Sequence, residues 1–168
     1  DFVPEGYEVS FGFDGDLPPI SVELHSGEKV NLIGRVDRVD ELKEDEETYI
    51  RIVDYKSGKQ DFNLSDVYYG LQIQLLVYLD ALLDELGESL GSKVLPAGVF
   101  YFNMDNPIIK TNGEISEDEV RNKILKQLKM KGIVLDDPDI VKQMDKFIEG
   151  FSDIIPVRMN KGDTLSKS

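Results

Sequence analysis

The sequence contains no cysteine. That absence excludes a disulfide framework, a thiolate zinc site and an iron–sulfur cluster within this chain. It agrees with a reducing, cytoplasmic setting. No apolar run approaches the roughly 20 residues that span a bilayer. The start, Asp1-Phe2-Val3-Pro4-Glu5, lacks the basic residues and apolar stretch of a signal peptide. Gly12 and Gly15 are not followed by Gly-Lys-Ser/Thr, so no ATP-binding phosphate loop is expected, and any ATP dependence would belong to a partner. Basic residues are scarce: 19 Lys and Arg face 33 Asp and Glu, a net charge of −14. Free-standing DNA binders carry a basic face that releases counterions from the backbone. A function on nucleic acid would therefore need a bound divalent cation to offset the local charge, or a partner to supply the basic channel.

What is present suffices for one domain over residues 1–168. The apolar fraction of 40% supports a real core, and no low-complexity tract interrupts it. The chain starts without Met, and Asp163 to Ser168 is a polar end. A fragment of a longer protein is the expectation.

Strands are predicted from Glu8 to Phe13, Ile20 to Leu24, Val30 to Asp40 and Tyr49 to Lys56, forming an antiparallel meander. The charged connection Glu41 to Glu47 includes Glu44-Asp45-Glu46-Glu47, read as a solvated hairpin tip. The period then changes. Ser65 offers an N-cap, and Leu71, Leu75, Leu79, Leu82 and Leu86 recur at helical spacing up to Gly87. Ala97 to Phe102 reads as a buried strand. Ser116 to Glu119 has the form of a capping box opening a helix to about Lys129, and Pro138 opens a last helix to about Glu149. This order implies an α/β or α+β domain around one mixed sheet. Lys123, Lys126, Lys129 and Lys131 form the main basic cluster; a helix surface balanced by acids is the plainer reading, and contact with a DNA backbone is the other.

Alternate residues of a strand share a face. Asp54 and Lys56 therefore continue the row begun by Ile50 and Ile52, with Cα atoms roughly 7 Å apart. Charges at the end of a core-facing row are costly unless paired or bound to an ion. One strand earlier, Ile33, Arg35, Asp37 and Val39 share a face, and Gly34 suggests that a backbone or ligand approaches there. If the two strands pair as a hairpin, Asp37 and Asp54 converge. Two carboxylates beside a lysine suit phosphodiester hydrolysis: hard oxygen ligands for Mg²⁺ or Mn²⁺, and a cation that orients water and stabilises developing charge. A cross-strand salt bridge on a solvated face is the bland alternative.

The longer strings carry more. Gly34-Arg35-Val36-Asp37, then Asp54-Tyr55-Lys56, then Gln74-Leu75-Leu76-Val77-Tyr78 resemble the RecB-like branch of the PD-(D/E)xK nucleases. With Pro96 to Phe102 and Lys129 to Leu135, the chain is more narrowly similar to the C-terminal nuclease domain of the AddB family, called RexB in some groups. The resemblance implies a restriction-endonuclease-like fold, a mixed β-sheet flanked by helices. It implies a metal-dependent DNA exonuclease of an AddAB-type helicase–nuclease, with an AddA-type partner subunit and a role in double-strand-break processing and recombinational repair. It implies that Asp37 and Asp54 hold the metal, that the Tyr55 carbonyl adds a ligand, and that Lys56 is catalytic. Gln74 and Tyr78, one helical turn apart, would position the nucleophile or the DNA; Gln72 is a rival on another face. Two features of the family are missing here. The upstream helix that supplies a His or Glu ligand does not appear, and His25 sits in a turn. The four cysteines that bind a 4Fe–4S cluster in the full-length parent are absent. The alternative is a catalytically inactive RecB-like domain serving DNA-end binding or subunit docking.

Overall fold

The computed structural model describes residues 1–58 and 61–166; Lys167 and Ser168, at the polar end, lie outside the described residues. Its centre is a five-stranded sheet. The strands are β1 (Val3–Phe11), β4 (Gly34–Glu44), β5 (Glu47–Lys56), β6 (Lys93–Asn103) and β7 (Lys131–Val134), in spatial order β1-β4-β5-β6-β7. Every neighbouring pair is antiparallel except β5 and β6, which run parallel. Parallel neighbours need a long crossover, usually helical. Here the connection carries α1 (Leu64–Tyr68) and α2 (Gln74–Leu90). The result is a mixed α/β fold consistent with the restriction-endonuclease-like class.

The middle strands are buried on both faces. Ile50, Ile52 and Val99 pack with Leu75, Tyr78, Leu79 and Leu82 of α2 on one side. On the other, Tyr49, Val53 and Phe100 meet Ile140, Val141 and Met144 of α4 (Pro138–Met144), together with Ile155 and Met159. The second face also holds charge. Asp40 is fully buried and accepts Arg38 at both oxygens, at 2.5 and 3.0 Å, and Arg51 Nε at 2.8 Å. The helix expected after Ser116 is α3 (Glu117–Leu128), and its capping box with Glu119 is present.

Several expectations are corrected. The first strand begins at Val3 rather than Glu8; Pro4 and Gly6 masked it, and both sit at a register shift on the sheet's edge, where proline is tolerated. The strand expected over Val30 to Asp40 is cut at exposed Ile33. Its first part, β3 (Lys29–Leu32), pairs with β2 (Ile20–Glu23) in a two-stranded sheet, so the meander is interrupted by a separate hairpin. The single helix expected from Ser65 is two. Asn63 caps α1 by accepting Ser65 N, Gly70 at φ +79° ends that turn, and Leu71 is exposed rather than part of the core stripe. α2 then runs through Gly87 and stops at left-handed Gly91. The last helix ends at Met144, not Glu149. β7 was not anticipated: four residues show no period. It pairs β6 through Gly132↔Phe100, where a Cβ would meet the Val99 carbonyl at 1.9 Å. A short hairpin, β8 (Met159–Asn160) and β9 (Thr164–Leu165), follows α4.

Candidate functional site

β4 and β5 place three of the predicted residues together. Their ladder ends at Arg38↔Val53, and Asp37 and Asp54 are the next residues beyond that last pair. At that step a side chain interrupts the backbone pattern. The Tyr55 amide donates to Asp37 Oδ2 at 2.8 Å, so a carboxylate takes the place of a carbonyl where the strands part. The same level is irregular on the β1 side. Rungs Tyr7↔Arg38 and Val9↔Val36 flank Glu8, whose φ is +52°. This corrects the simple alternation expected along β4. Ile33 and Arg35 are exposed, whereas Val36, like Val39, is buried against the α2 side.

Asp54 and Lys56 form an ion pair, Nζ to Oδ2 at 2.6 Å, at the end of the Ile50–Ile52 row. The contact is not directed along a hydrogen bond, and Asp54 Oδ2 is buried without a hydrogen-bond partner among the described residues. Lys56 Nζ also lies 5.5 Å from the centre of the Tyr101 ring, whose strand position is level with Asp54. Burial pushes the Lys56 ammonium down, but the close contact and negative charge of Asp54, then Tyr101 and Asp37, outweigh it and its pKa is raised. Burial likewise raises the Tyr101 phenol, against the pull of Lys56. Lys56 is therefore a fixed positive charge facing two carboxylates. Asn103, buried and on the rung beside Lys56, completes the wall; nothing in its own short stretch of sequence marked it.

Gln74 and Tyr78 are placed differently. Gln74 opens α2 and its Nε2 donates to the Tyr78 hydroxyl at 2.9 Å. Tyr78 is buried, stacks on Phe11 with ring centres 5.5 Å apart, and rests its hydroxyl on Gly34. Neither residue hydrogen-bonds Asp37, Asp54 or Lys56 among the described residues. They hold the start of β4, three residues before Asp37. Gln72 belongs elsewhere: it accepts from Asn63 N and donates to the Asp61 carbonyl, fastening the segment after β5. His25 lies in the exposed β2–β3 turn.

Gly34 is the residue whose reason the structure supplies. A Cβ there would fall 1.7 Å from the Tyr78 hydroxyl oxygen, and buried tyrosine cannot yield without unstacking from Phe11. Gly34→Ala is expected to cost about 1–3 kcal/mol, the usual range for overpacking. Urea unfolding measures this; pairing it with Tyr78→Phe, which removes the clashing oxygen, should recover part of the loss. Equal losses with and without Tyr78→Phe would exclude this contact as the cause.

The donor set suits a hard divalent cation. Two carboxylates, Asp37 and Asp54, act on the same ammonium of Lys56, and one buried oxygen lacks a directed donor. Mg²⁺ is commonly held by one or two carboxylates, with waters and substrate phosphates filling the rest. No group of three or more His, Cys, Asp or Glu is gathered among the described residues. The profile of the PD-(D/E)XK nuclease superfamily matches residues 1–161. The chain belongs to that superfamily. Among curated relatives of this nuclease domain, the B subunit of the ATP-dependent helicase/deoxyribonuclease of Clostridium tetani is 64% identical over the whole chain. The proteins of the same name from Clostridium botulinum strain Hall and Acetivibrio thermocellus are each 55% identical over 99% of it. The chain spans only 14–15% of the length of these relatives. Among the described residues, no helix is long and apolar enough to cross a membrane.

Proposed function

We propose that this nuclease domain hydrolyses phosphodiester bonds of DNA with a bound Mg²⁺ or Mn²⁺. The observation that carries the reading is the meeting of Asp37, Asp54 and Lys56 at the point where β4 and β5 part. Asp37, Asp54 and the carbonyl of Tyr55 would hold the metal. When bound, such an ion lowers the pKa of its water and offsets charge on the scissile phosphate. Lys56, already cationic, orients the attacking water and stabilises the negative charge that grows on the phosphoryl oxygens. Tyr101 confines the Lys56 ammonium from one side. Gln74 and Tyr78 act at one remove: they fix the strand that carries Asp37.

The name shared by the relatives supports a wider setting. In it residues 1–168 are one domain, the cutting part of an AddAB-type helicase–nuclease working in the cytoplasm with an AddA-type partner, an exonuclease in double-strand-break processing and recombinational repair. The iron–sulfur cluster of such a parent would lie outside this cysteine-free chain.

A Mn²⁺ titration of the domain tests the site. Saturable binding is expected, and Asp54→Ala should lose it. Absence of saturable binding, or equal binding by Asp54→Ala, would overturn the metal-dependent reading in favour of an inactive docking or end-binding domain.

A further inference from the structure

A groove of about 1130 Å³ runs along the open edge of β7. Its charged lining is Lys126, Lys129, Lys131 and Arg158 against Asp61 and Asp136. Among the described residues, only Lys131 of these cations is paired with a carboxylate, that of Asp61. Three cations are thus free of carboxylate partners within one groove of a chain whose net charge is −14. The hairpin end of β4 and β5 is the opposite case: its cavity sets Glu44, Asp45, Glu46, Glu47, Asp137 and Asp139 against the single cation Lys142, itself paired with Asp163, a lining that repels phosphate. The groove also presents ring faces. Phe151 is 69% exposed, and the Arg158 guanidinium lies 4.8 Å over its ring. Phe62 lines the other end and leans on Tyr101, with ring centres 6.2 Å apart. Tyr101 joins the groove to the site, being level with Asp54 on one side and with Lys131 on the other. Two strand spacings, roughly 10 Å, separate the two ends of that row.

We propose that this groove takes a single strand of DNA, its phosphates on Lys126, Lys129 and Arg158 and an unpaired base on Phe151. The proposal rests on the nuclease reading and names the form in which the substrate meets the site. Cations interleaved with exposed aromatic faces are what an unpaired strand requires, because its bases are free to stack. A duplex hides those faces. A peptide adding to the β7 edge would use backbone hydrogen bonds, and it would gain little from three unpaired cations.

The test is fluorescence anisotropy with a labelled oligodeoxythymidylate of about ten nucleotides, within the site size of single-strand binders, in EDTA and low salt. The wild-type chain should bind it. Lys126→Glu with Lys129→Glu should weaken binding at least about tenfold and flatten the salt slope by about 1.4, two phosphate contacts at about 0.7 each. Phe151→Ala should weaken binding without changing that slope, and a duplex of equal length should compete poorly. Thermal melting checks that each variant folds. No binding by the wild type, unchanged binding by the double variant, or equal competition by duplex overturns the proposal. Lys142→Ala, whose exposed ion pair with Asp163 lies outside the groove, should bind the strand normally. A chain that takes the strand but not Mn²⁺ overturns the nuclease reading alone; one that takes Mn²⁺ but not the strand overturns the groove alone.

Discussion

Lys56→Ala will leave the domain folded and lower DNA cleavage by about 10²–10³-fold, the cost of removing one preorganised charge from a transition state. The fold should survive because the Lys56 side chain is 37% exposed and its ammonium belongs to no core cluster. The rate should fall because Lys56 is the cation that faces both Asp37 and Asp54. Single-turnover DNA cleavage in Mg²⁺, by the domain within the helicase–nuclease proposed above, measures the effect. A remote control is Lys142→Ala, which breaks only an exposed ion pair with Asp163. If Lys56→Ala cleaves at the wild-type rate while Asp54→Ala does not, lysine has no place in the chemistry. If neither variant changes the rate, the site is elsewhere.

The largest loss of stability is expected on the opposite face of the same strands. Asp40→Ala should destabilise the domain by about 3–5 kcal/mol, the penalty for stripping one partner from a buried ionic group. Arg51 is only 11% exposed at its side chain, and beyond Asp40 its guanidinium meets the Phe2 ring. Arg38 would keep only its long contact with the Tyr55 hydroxyl, at 3.5 Å. Urea unfolding gives the number. Replacing the trio by apolar residues, Arg38→Met with Asp40→Leu and Arg51→Leu, should recover most of the loss, since no charge is then left buried alone. A loss below about 1 kcal/mol for Asp40→Ala would mean that water reaches the arginines. The effect also reaches the site, because Tyr55 touches both sides: its hydroxyl meets Arg38 and its amide meets Asp37.

Period and local chemistry made part of this legible in the sequence. Ile50, Ile52, Asp54 and Lys56 alternate cleanly because β5 lies at the centre of the sheet, where a slip would turn every side chain to the wrong face. Ser116 and Glu119 identify their own helix end because a capping box is local. What escaped was tertiary. Alternation along β4 fails at Asp37 because β1 is irregular at Glu8, on a strand distant in sequence. The leucine spacing runs unbroken from Leu71, in the connection, into α2, because period alone does not report that Gly70 has turned the chain. The Arg38–Asp40–Arg51 cluster resembles ordinary surface charge until the second face of the sheet is covered. Gly34 announced a close approach but not its cause, which lies on a helix beyond the next strand.

The amide of Tyr55 is shielded by one carboxylate rather than by a neighbouring strand. Its proton is therefore guarded by a group that can turn away without any unfolding of the sheet. Most amides of β5 exchange with solvent only when the ladder itself opens, but this one reports on the attention of Asp37. Whatever draws that carboxylate elsewhere will be written first in the exchange rate of a single backbone hydrogen, before any strand has moved.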